Sequence, residues 1–461
     1  MNFNSLEFLL FAPAVIIIHW LLPHKLRKYW LLAASYFFYM CWNPVLILLI
    51  IFSAAVDYSC SLGMERFRES SGIRKLLLMT SIFVNLGLLF SFKYLDFFGS
   101  GFNSLWSLMG MDTRMPEFDL ILPVGISFYT LQTMSYTIDV YRGRMKPERD
   151  PVMFALYVSF FPQLVAGPIE RPGNLLPQLV RERKWEPENL PRGCFLMIRG
   201  FFKKLVVADT LAVLVDGAFA APESATGPMV ILGTILFGFQ IYCDFSGYSD
   251  IARGTSNLLG IDLMENFHRP YSAISVRDFW KRWHISLTSW FTDYVYIPLG
   301  GSRKGLARHC LNLMVVFLLS GLWHGAEWTF VIWGAIHGLM QICEVLLDRT
   351  GVKKPHPLVG WACTFTLVSL SWLPFRAANL EELGILLGQL STGWGSAPDW
   401  DFLRLGMILL CLTLAERMDY RKKVPTQTRA LGYFYAVLAI CVGWLTVLSG
   451  NGQNAFIYFQ F

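Results

Sequence analysis

Three histidines stand where an imidazole could do chemistry. His324 lies in Ser320-Gly321-Leu322-Trp323-His324-Gly325-Ala326-Glu327-Trp328, between strongly apolar stretches at 310–322 and 329–347. An ionisable side chain in such a setting is costly unless it lines a cavity or has a partner, so it marks a functional candidate. A neutral buried imidazole can take a proton as a general base. Gly321 and Gly325, at −3 and +1, leave room for a substrate or for another backbone to approach. The plainer alternative is a residue that hydrogen-bonds one helix to another.

His284 stands in Arg277-Asp278-Phe279-Trp280-Lys281-Arg282-Trp283-His284-Ile285-Ser286-Leu287. If this run is helical, Trp280, His284, Leu287 and Phe291 share one face, and Arg277, Lys281 and His284 adjoin it. Such a segment is aromatic and basic at once, which suits an interface helix beside an anionic ligand. Its alternative is a helix held at headgroup level by Trp and Arg. His337 lies further along, and a straight helix would turn it roughly 220° away from His324, so it is expected to support packing. His19, His24, His268, His309 and His356 are accounted for by their places at segment ends and beside basic loops. Asp244 and Asp250 have no third carboxylate close by, so polar support of a pocket is expected there and no metal site. The chain contains no GxxxxGK[ST], GxSxG or HExxH pattern.

These residues must be positioned by apolar elements. Only 16% of the 461 residues are charged and 54% are hydrophobic, against about 25% charged in soluble domains. Mean hydropathy is +0.44, and the apolar residues come in long blocks. A soluble enzyme, a disordered chain and a disulfide-stapled secreted domain are excluded. The expectation is an all-α, polytopic integral membrane protein forming one domain over 1–461. Its net charge of +6 sits between apolar segments and follows no stripe, so it reads as membrane flanks and not as a nucleic-acid surface. The nine cysteines are scattered and read as small buried hydrophobes.

Candidate spans are 6–22, 30–40, 45–61, 76–92, 120–137, 152–165, 195–215, 229–242, 310–322, 329–347, 358–373, 402–414 and 431–448. The defensible count is roughly 11–13 membrane helices, some of them re-entrant or interfacial around a central pocket. The first stretch lacks a basic flank before it and is expected to be retained as a helix. Lys25, Arg27 and Lys28, then Arg66, Arg68, Arg74 and Lys75, then Arg142, Arg144, Lys146 and Arg149 follow alternate spans. The positive-inside tendency puts these loops in the cytoplasm, with Trp42-Asn43-Pro44 turning the chain outside. The N-terminus is then outside, and the basic stretch 417–429 before the last span puts the C-terminus outside too. Two outside ends need an even number of crossings, so at least one candidate should not span. The stretch 244–308 is too polar to face lipid and too aromatic for an ordinary loop, so a cytoplasmic-side pocket is expected there.

The sequence resembles the membrane-bound O-acyltransferases, in the branch of bacterial alginate O-acetyltransferases. The resemblance runs through 122–129, 136–143, 166–169, 240–250, 265–267 with 269–271, 277–287, 296–301, 321–326 and the ending 456–461. It implies acyl transfer from a cytoplasmic thioester, acetyl-CoA or another acyl donor, to a hydroxyl of an envelope or extracellular polysaccharide. A periplasmic or extracellular partner protein is implied for the final transfer, and no bound cofactor or metal. The family's catalytic histidine matches His324 and its second histidine matches His284. His324 is expected to act as general base, or alternatively to carry the acyl group transiently. Arg277, Lys281 and Arg282 are expected to meet the donor's phosphates, with Trp323 and Asp244 lining the substrate site. A D-alanyl transferase of teichoic acids, fed by a carrier-protein thioester, is the nearest alternative. A transporter would also use intramembrane histidines, but no inverted repeat is found. A non-catalytic scaffold would leave the setting of His324 unexplained.

Overall fold

A computed structural model describes residues 1–395 other than 112, 166 and 354, together with 405, 406, 409, 412 and 413. Among these residues all regular structure is helical. Two compact units emerge. The first gathers Leu10–Trp185 with Ser256–Leu263, and the second gathers Asn2–Leu9, Glu186–Thr255 and the described residues from Met264 on.

In chain order the helices up to residue 180 are α1 (Leu6–Leu21), α2 (His24–Met40), α3 (Ile47–Arg66), α4 (Ser71–Leu89), α5 (Leu95–Leu108), α6 (Ile126–Tyr141), α7 (Pro151–Ser159), α8 (Phe161–Leu164) and α9 (Pro172–Val180). A wider π turn at Phe90–Tyr94 joins α4 to α5. The α2–α3 turn falls at the expected hairpin, where Asn43 Oδ1 accepts from the Val45 amide at 3.0 Å. Asp150 opens α7 by accepting from the Val152 amide at 2.9 Å, with Pro151 at the first helical position, where its missing N–H costs nothing.

Within this unit α3, α4 and α6 share a buried polar centre. Asp57 accepts from Ser81 Oγ at 2.5 Å and from Asn85 Nδ2 at 2.9 Å. Asn85 Oδ1 in turn accepts from Ser53 Oγ at 2.7 Å and Thr133 Oγ1 at 3.3 Å. Ser53, Asp57, Ser81, Asn85 and Thr133 are all fully buried, so the hydrogen bonds offset the cost of their burial.

The remaining helices are α10 (Asn189–Phe201), α11 (Asp209–Phe219), α12 (Gly227–Leu258), α13 (Val276–Trp280), α14 (Ile285–Phe291), α15 (Leu306–His324), α16 (Trp328–Arg349), α17 (Pro357–Arg376) and α18 (Leu380–Thr392). Six helices among the described residues are long and apolar enough to cross a membrane: Ile47–Arg66, Ser71–Leu108, Gly227–Leu258, Leu306–His324, Trp328–Arg349 and Pro357–Arg376. They overlie six of the sequence candidates, and α1 is a shorter apolar helix over a seventh. The protein is an integral membrane protein. Candidate 152–165 is divided between α7 and α8, and 195–215 runs through α10, π turns at Phe202–Ala208 and α11. Candidates 402–414 and 431–448, the basic stretch 417–429, the C-terminal side assignment and the ending 456–461 lie outside the described residues, five positions excepted.

The polar middle differs in its starting point. α12 runs for 32 residues to Leu258, so Asp244 and Asp250 sit on a helix and not in an irregular segment. Ion pairs make this tolerable. Asp250 takes Arg199 at 2.5 Å and Lys203 at 3.1 Å, and Asp244 takes Lys204 at 2.8 Å. Beyond Leu258 the chain becomes irregular as expected, with α13 and α14 only 5 and 7 residues long. All seven described cysteines are free thiols.

Candidate active site

The 276–291 segment is not one helix. Ser275 caps α13 by accepting from the Asp278 amide at 3.0 Å, and the Glu344 carboxylate receives the Val276 and Arg277 amides at 2.5 and 3.1 Å. The chain then leaves the helix, and His284 adopts a left-handed backbone, φ 43° and ψ 54°, before α14 begins. Such a conformation costs a side-chain-bearing residue about 1–2 kcal/mol and persists only where its surroundings hold it. A neighbouring loop does so. The His268 amide donates to Arg282 O and the Ile285 amide to Asn266 O, each at 2.9 Å. Ser286 Oγ donates to Asn266 Oδ1 at 2.6 Å, and Asn266 Nδ2 donates to Ser249 Oγ at 3.2 Å. The single aromatic face expected from i, i+4, i+7 spacing is therefore broken at His284. The break sends the imidazole inward: it is 0% exposed, with its ring 4.7 Å from Phe245 and 5.9 Å from Trp323. Burial pushes its pKa down to about 3, so it is a neutral hydrogen-bonding ring at ordinary pH.

His324 is the last residue of α15, and the chain turns at Gly325–Glu327 into α16. The two helices cross closely because glycine permits it. A Cβ on Gly321 would lie 2.2 Å from Phe330 O, and one on Gly334 would lie 2.3 Å from Phe317 O. One on Gly325 would enter the Phe330 ring at 2.0 Å. Of the two uses left open for Gly321 and Gly325, approach of other protein groups is the one observed. His324 is 3% exposed, with its ring 4.9 Å from Trp323, 5.1 Å from Trp333, 5.3 Å from Phe375 and 6.5 Å from His284. Forty residues of sequence are thus closed into one buried cluster.

His337 sits on α16 and not on a continuation of the helix bearing His324, so the straight-helix rotation does not apply. Trp333 stands between the two rings, 5.1 Å from His324 and 4.9 Å from His337. Both His337 nitrogens are engaged: Trp280 Nε1 donates to Nδ1 at 3.3 Å, and Ser371 Oγ meets Nε2 at 3.0 Å. An indole only donates, so in the neutral ring Nε2 carries the proton and gives it to Ser371 Oγ, whose own hydrogen goes to Val368 O at 2.6 Å. Trp333 is different. It is fully buried and its Nε1–H has no hydrogen-bond partner among the described residues, a costly state that a bound oxygen would relieve. Sequence reasoning passed over Trp333, whose one signal is an indole in the apolar helix that follows His324.

The other expected site residues divide. Arg277 and Lys281 line a cleft of about 620 Å³ whose apolar walls include Trp280, Leu287, Phe317 and Val345. Arg277 pairs with Asp348 at 2.9 Å, whereas exposed Lys281 has no ion-pair partner among the described residues. Trp280 is common to this cleft and to the histidine cluster, 5.8 Å from Trp333 and 5.0 Å from His337. Arg282 lies outside the cleft lining and pairs with Asp278 at 2.8 Å. Asp244 shares buried Lys204 with Asp209, at 2.8 and 2.9 Å. Trp323 touches both histidine rings. Among the described residues no three His, Cys, Asp or Glu side chains converge as metal ligands do.

Residues 148–356 match the pattern of the MBOAT, membrane-bound O-acyltransferase family. The chain is 37% identical to the probable alginate O-acetylase AlgI of Pseudomonas putida, over 100% of both chains. It is 39% identical to the protein of that name from Pseudomonas aeruginosa, over 83% of this chain and 73% of the relative. A peptidoglycan O-acetyltransferase of Helicobacter pylori is 36% identical, over 79% of this chain and 73% of the relative.

Proposed function

The chain belongs to the membrane-bound O-acyltransferase family, and from that premise we propose that it moves an acetyl group from a thioester to a hydroxyl of a cell-envelope or extracellular polysaccharide. The relatives' names, alginate O-acetylase and peptidoglycan O-acetyltransferase, favour acetyl as the group and polysaccharide as the acceptor. The donor is acetyl-CoA or another acyl thioester arriving from the cytoplasm, and a partner protein on the outer side completes delivery. The chain works as one membrane-embedded catalytic domain of the cytoplasmic membrane, with both termini outside. The observation that carries this reading is the meeting of two buried imidazoles, 6.5 Å apart, beside a cleft with a basic edge.

His324 takes the proton of the acceptor hydroxyl as its oxygen attacks the thioester carbonyl carbon. The C–O bond forms, the C–S bond breaks, and the imidazolium returns the proton to the departing thiolate. A thioester is already activated, so positioning, proton removal and oxyanion stabilisation are what the protein must supply. The indole N–H of Trp333 is the donor for the developing oxyanion. His284, neutral and held in its strained turn, orients the donor. Arg277 and Lys281 receive its phosphates at the cleft edge, with Arg282 on the same turn. Trp323 fixes both histidine rings, and the Asp244–Lys204 pair supports the wall behind them.

The test is transfer from labelled acetyl-CoA in membranes of matched expression. Turnover by the wild type and its loss in His324→Ala is the expected result. Full turnover by the variant removes His324 from the mechanism. Transfer from a D-alanyl carrier thioester in place of acetyl-CoA overturns the acetyl assignment.

A further inference from the structure

A second cleft lies wholly within the first unit and shares no residue with the histidine cluster. It measures about 490 Å³ and is lined by the end of α1, the first turns of α2, and α9 with the residues that follow it. Five cations face it, Lys25, Arg27, Lys28, Arg181 and Arg183, against the single carboxylate of Asp150. Lys28 and Asp150 neutralise one another in an ion pair, and four further cationic side chains line the cleft with no second carboxylate among its lining residues.

Two of these are built in. Arg27 Nε donates to Leu22 O at 3.0 Å and its Nη1 to Arg183 O at 2.8 Å, while the guanidinium stacks 4.8 Å over Trp20. Arg183 Nη2 is held by Gln178 Oε1 at 3.0 Å. The other two, Lys25 and Arg181, are exposed, and their side chains have no partner among the described residues. His19 completes the wall. It is only 5% exposed, lines the cleft, and its Nδ1 has no hydrogen-bond partner among the described residues.

Like charges are not gathered at one cleft for stability, since each repels the others. The geometry points to a binding site for a phosphate-bearing anion, with Arg27 and Arg183 as the fixed fork, Lys25 and Arg181 closing over the ligand, and the His19 imidazole meeting an oxygen. Guanidinium groups match phosphate oxygens bidentately. Two sources share this chemistry, an anionic phospholipid headgroup and a soluble phosphate. Exposed apolar side chains at the cleft residues Leu26, Tyr29 and Val180, and at Leu21 next to them, would take acyl chains. Basic clusters that follow a membrane helix commonly take anionic lipid.

The experiment uses the purified full-length protein in detergent, with native mass spectrometry and thermal unfolding as readouts. Phosphatidylglycerol, phosphatidylcholine and inorganic phosphate are titrated against the wild type, Lys25→Gln/Arg181→Gln and His19→Asn. The exposed pair can be changed without touching the packed Arg27, and His19→Asn tests the wall separately. Phosphatidylglycerol should bind and stabilise the wild type, with binding roughly tenfold weaker in the double variant. Retention of that lipid against millimolar phosphate identifies a headgroup site, and its displacement by phosphate identifies a soluble-anion site. Equal binding of phosphatidylcholine, wild-type affinity in both variants, or no binding of either anion overturns the proposal.

Discussion

Two buried polar centres, one in each unit, solve the same problem differently. Asp57, Ser81, Asn85, Ser53 and Thr133 form a closed set in which the carboxylate and the amide are surrounded by their own hydrogen-bond partners. The centre around His284 and His324 is walled by rings meeting mainly edge to face, and beside it Trp333 keeps an N–H with no partner among the described residues. His337, one aromatic ring away, shows the closed solution again, with both nitrogens engaged. A satisfied network rigidifies a bundle, while an unspent donor beside an imidazole is a cost that a substrate can repay. On the function proposed above, the first centre serves stability and the second serves chemistry.

The strongest test of that contrast is His324→Ala. Transfer should fall about 10²–10⁴-fold, while the thermal midpoint in detergent stays near that of the wild type. Unchanged turnover would break the comparison on its catalytic side. Asp57→Ala should do the reverse. Ser81 and Asn85 would lose their buried acceptor, at about 1–3 kcal/mol for each group left unsatisfied, so unfolding should come at clearly lower temperature. Turnover per folded molecule should persist, and its loss in protein that remains folded would move Asp57 into the reaction.

Trp333→Phe keeps an aromatic ring but removes the N–H together with part of the buried indole, so the thermal midpoint is read beside kcat to separate lost packing from a lost donor. A lost oxyanion donor is worth about 10²-fold in kcat, with KM little changed, so a wild-type kcat would leave Trp333 as packing alone. The smallest effect belongs to His284. Its pKa is about 3 in the folded protein and near 6.5 when unfolded. Only the unfolded chain therefore gains this proton between those values, and stability present above pH 6.5 is lost as pH falls toward 3. The slope from one such group is about 1.4 kcal/mol per pH unit. Thermal midpoints between pH 7 and pH 5 should fall less steeply in His284→Gln, and parallel slopes would show that this ring does not resist protonation.

Both histidines were visible as residues out of place: His324 as an ionisable group between apolar runs, His284 as an imidazole amid Trp and Arg. Their partners were not. Helical periodicity cannot announce that His284 leaves the helix, because the cause is Asn266 and His268, which pair with the chain from another loop. Asp57 lay inside an apolar candidate span and passed unnoticed. Its partners Ser81 and Asn85 come from another helix, and Thr133, which donates to Asn85, comes from a third. In the sequence Arg27 reads only as flanking charge and Arg183 carries no signal of its own, yet chain folding joins them over 156 residues.

Composition and hydropathy by themselves determined that this chain is helical and lives in a membrane, since partition between water and lipid acts on each segment independently of the rest. They also singled out the imidazoles whose burial would be expensive. Which groups meet was decided only by tertiary structure. Contacts such as His284 with His324, Trp333 with both neighbouring histidines, or Arg27 with Arg183 depend on close packing of distant helices, and there glycine crossings and loop hydrogen bonds set the distances.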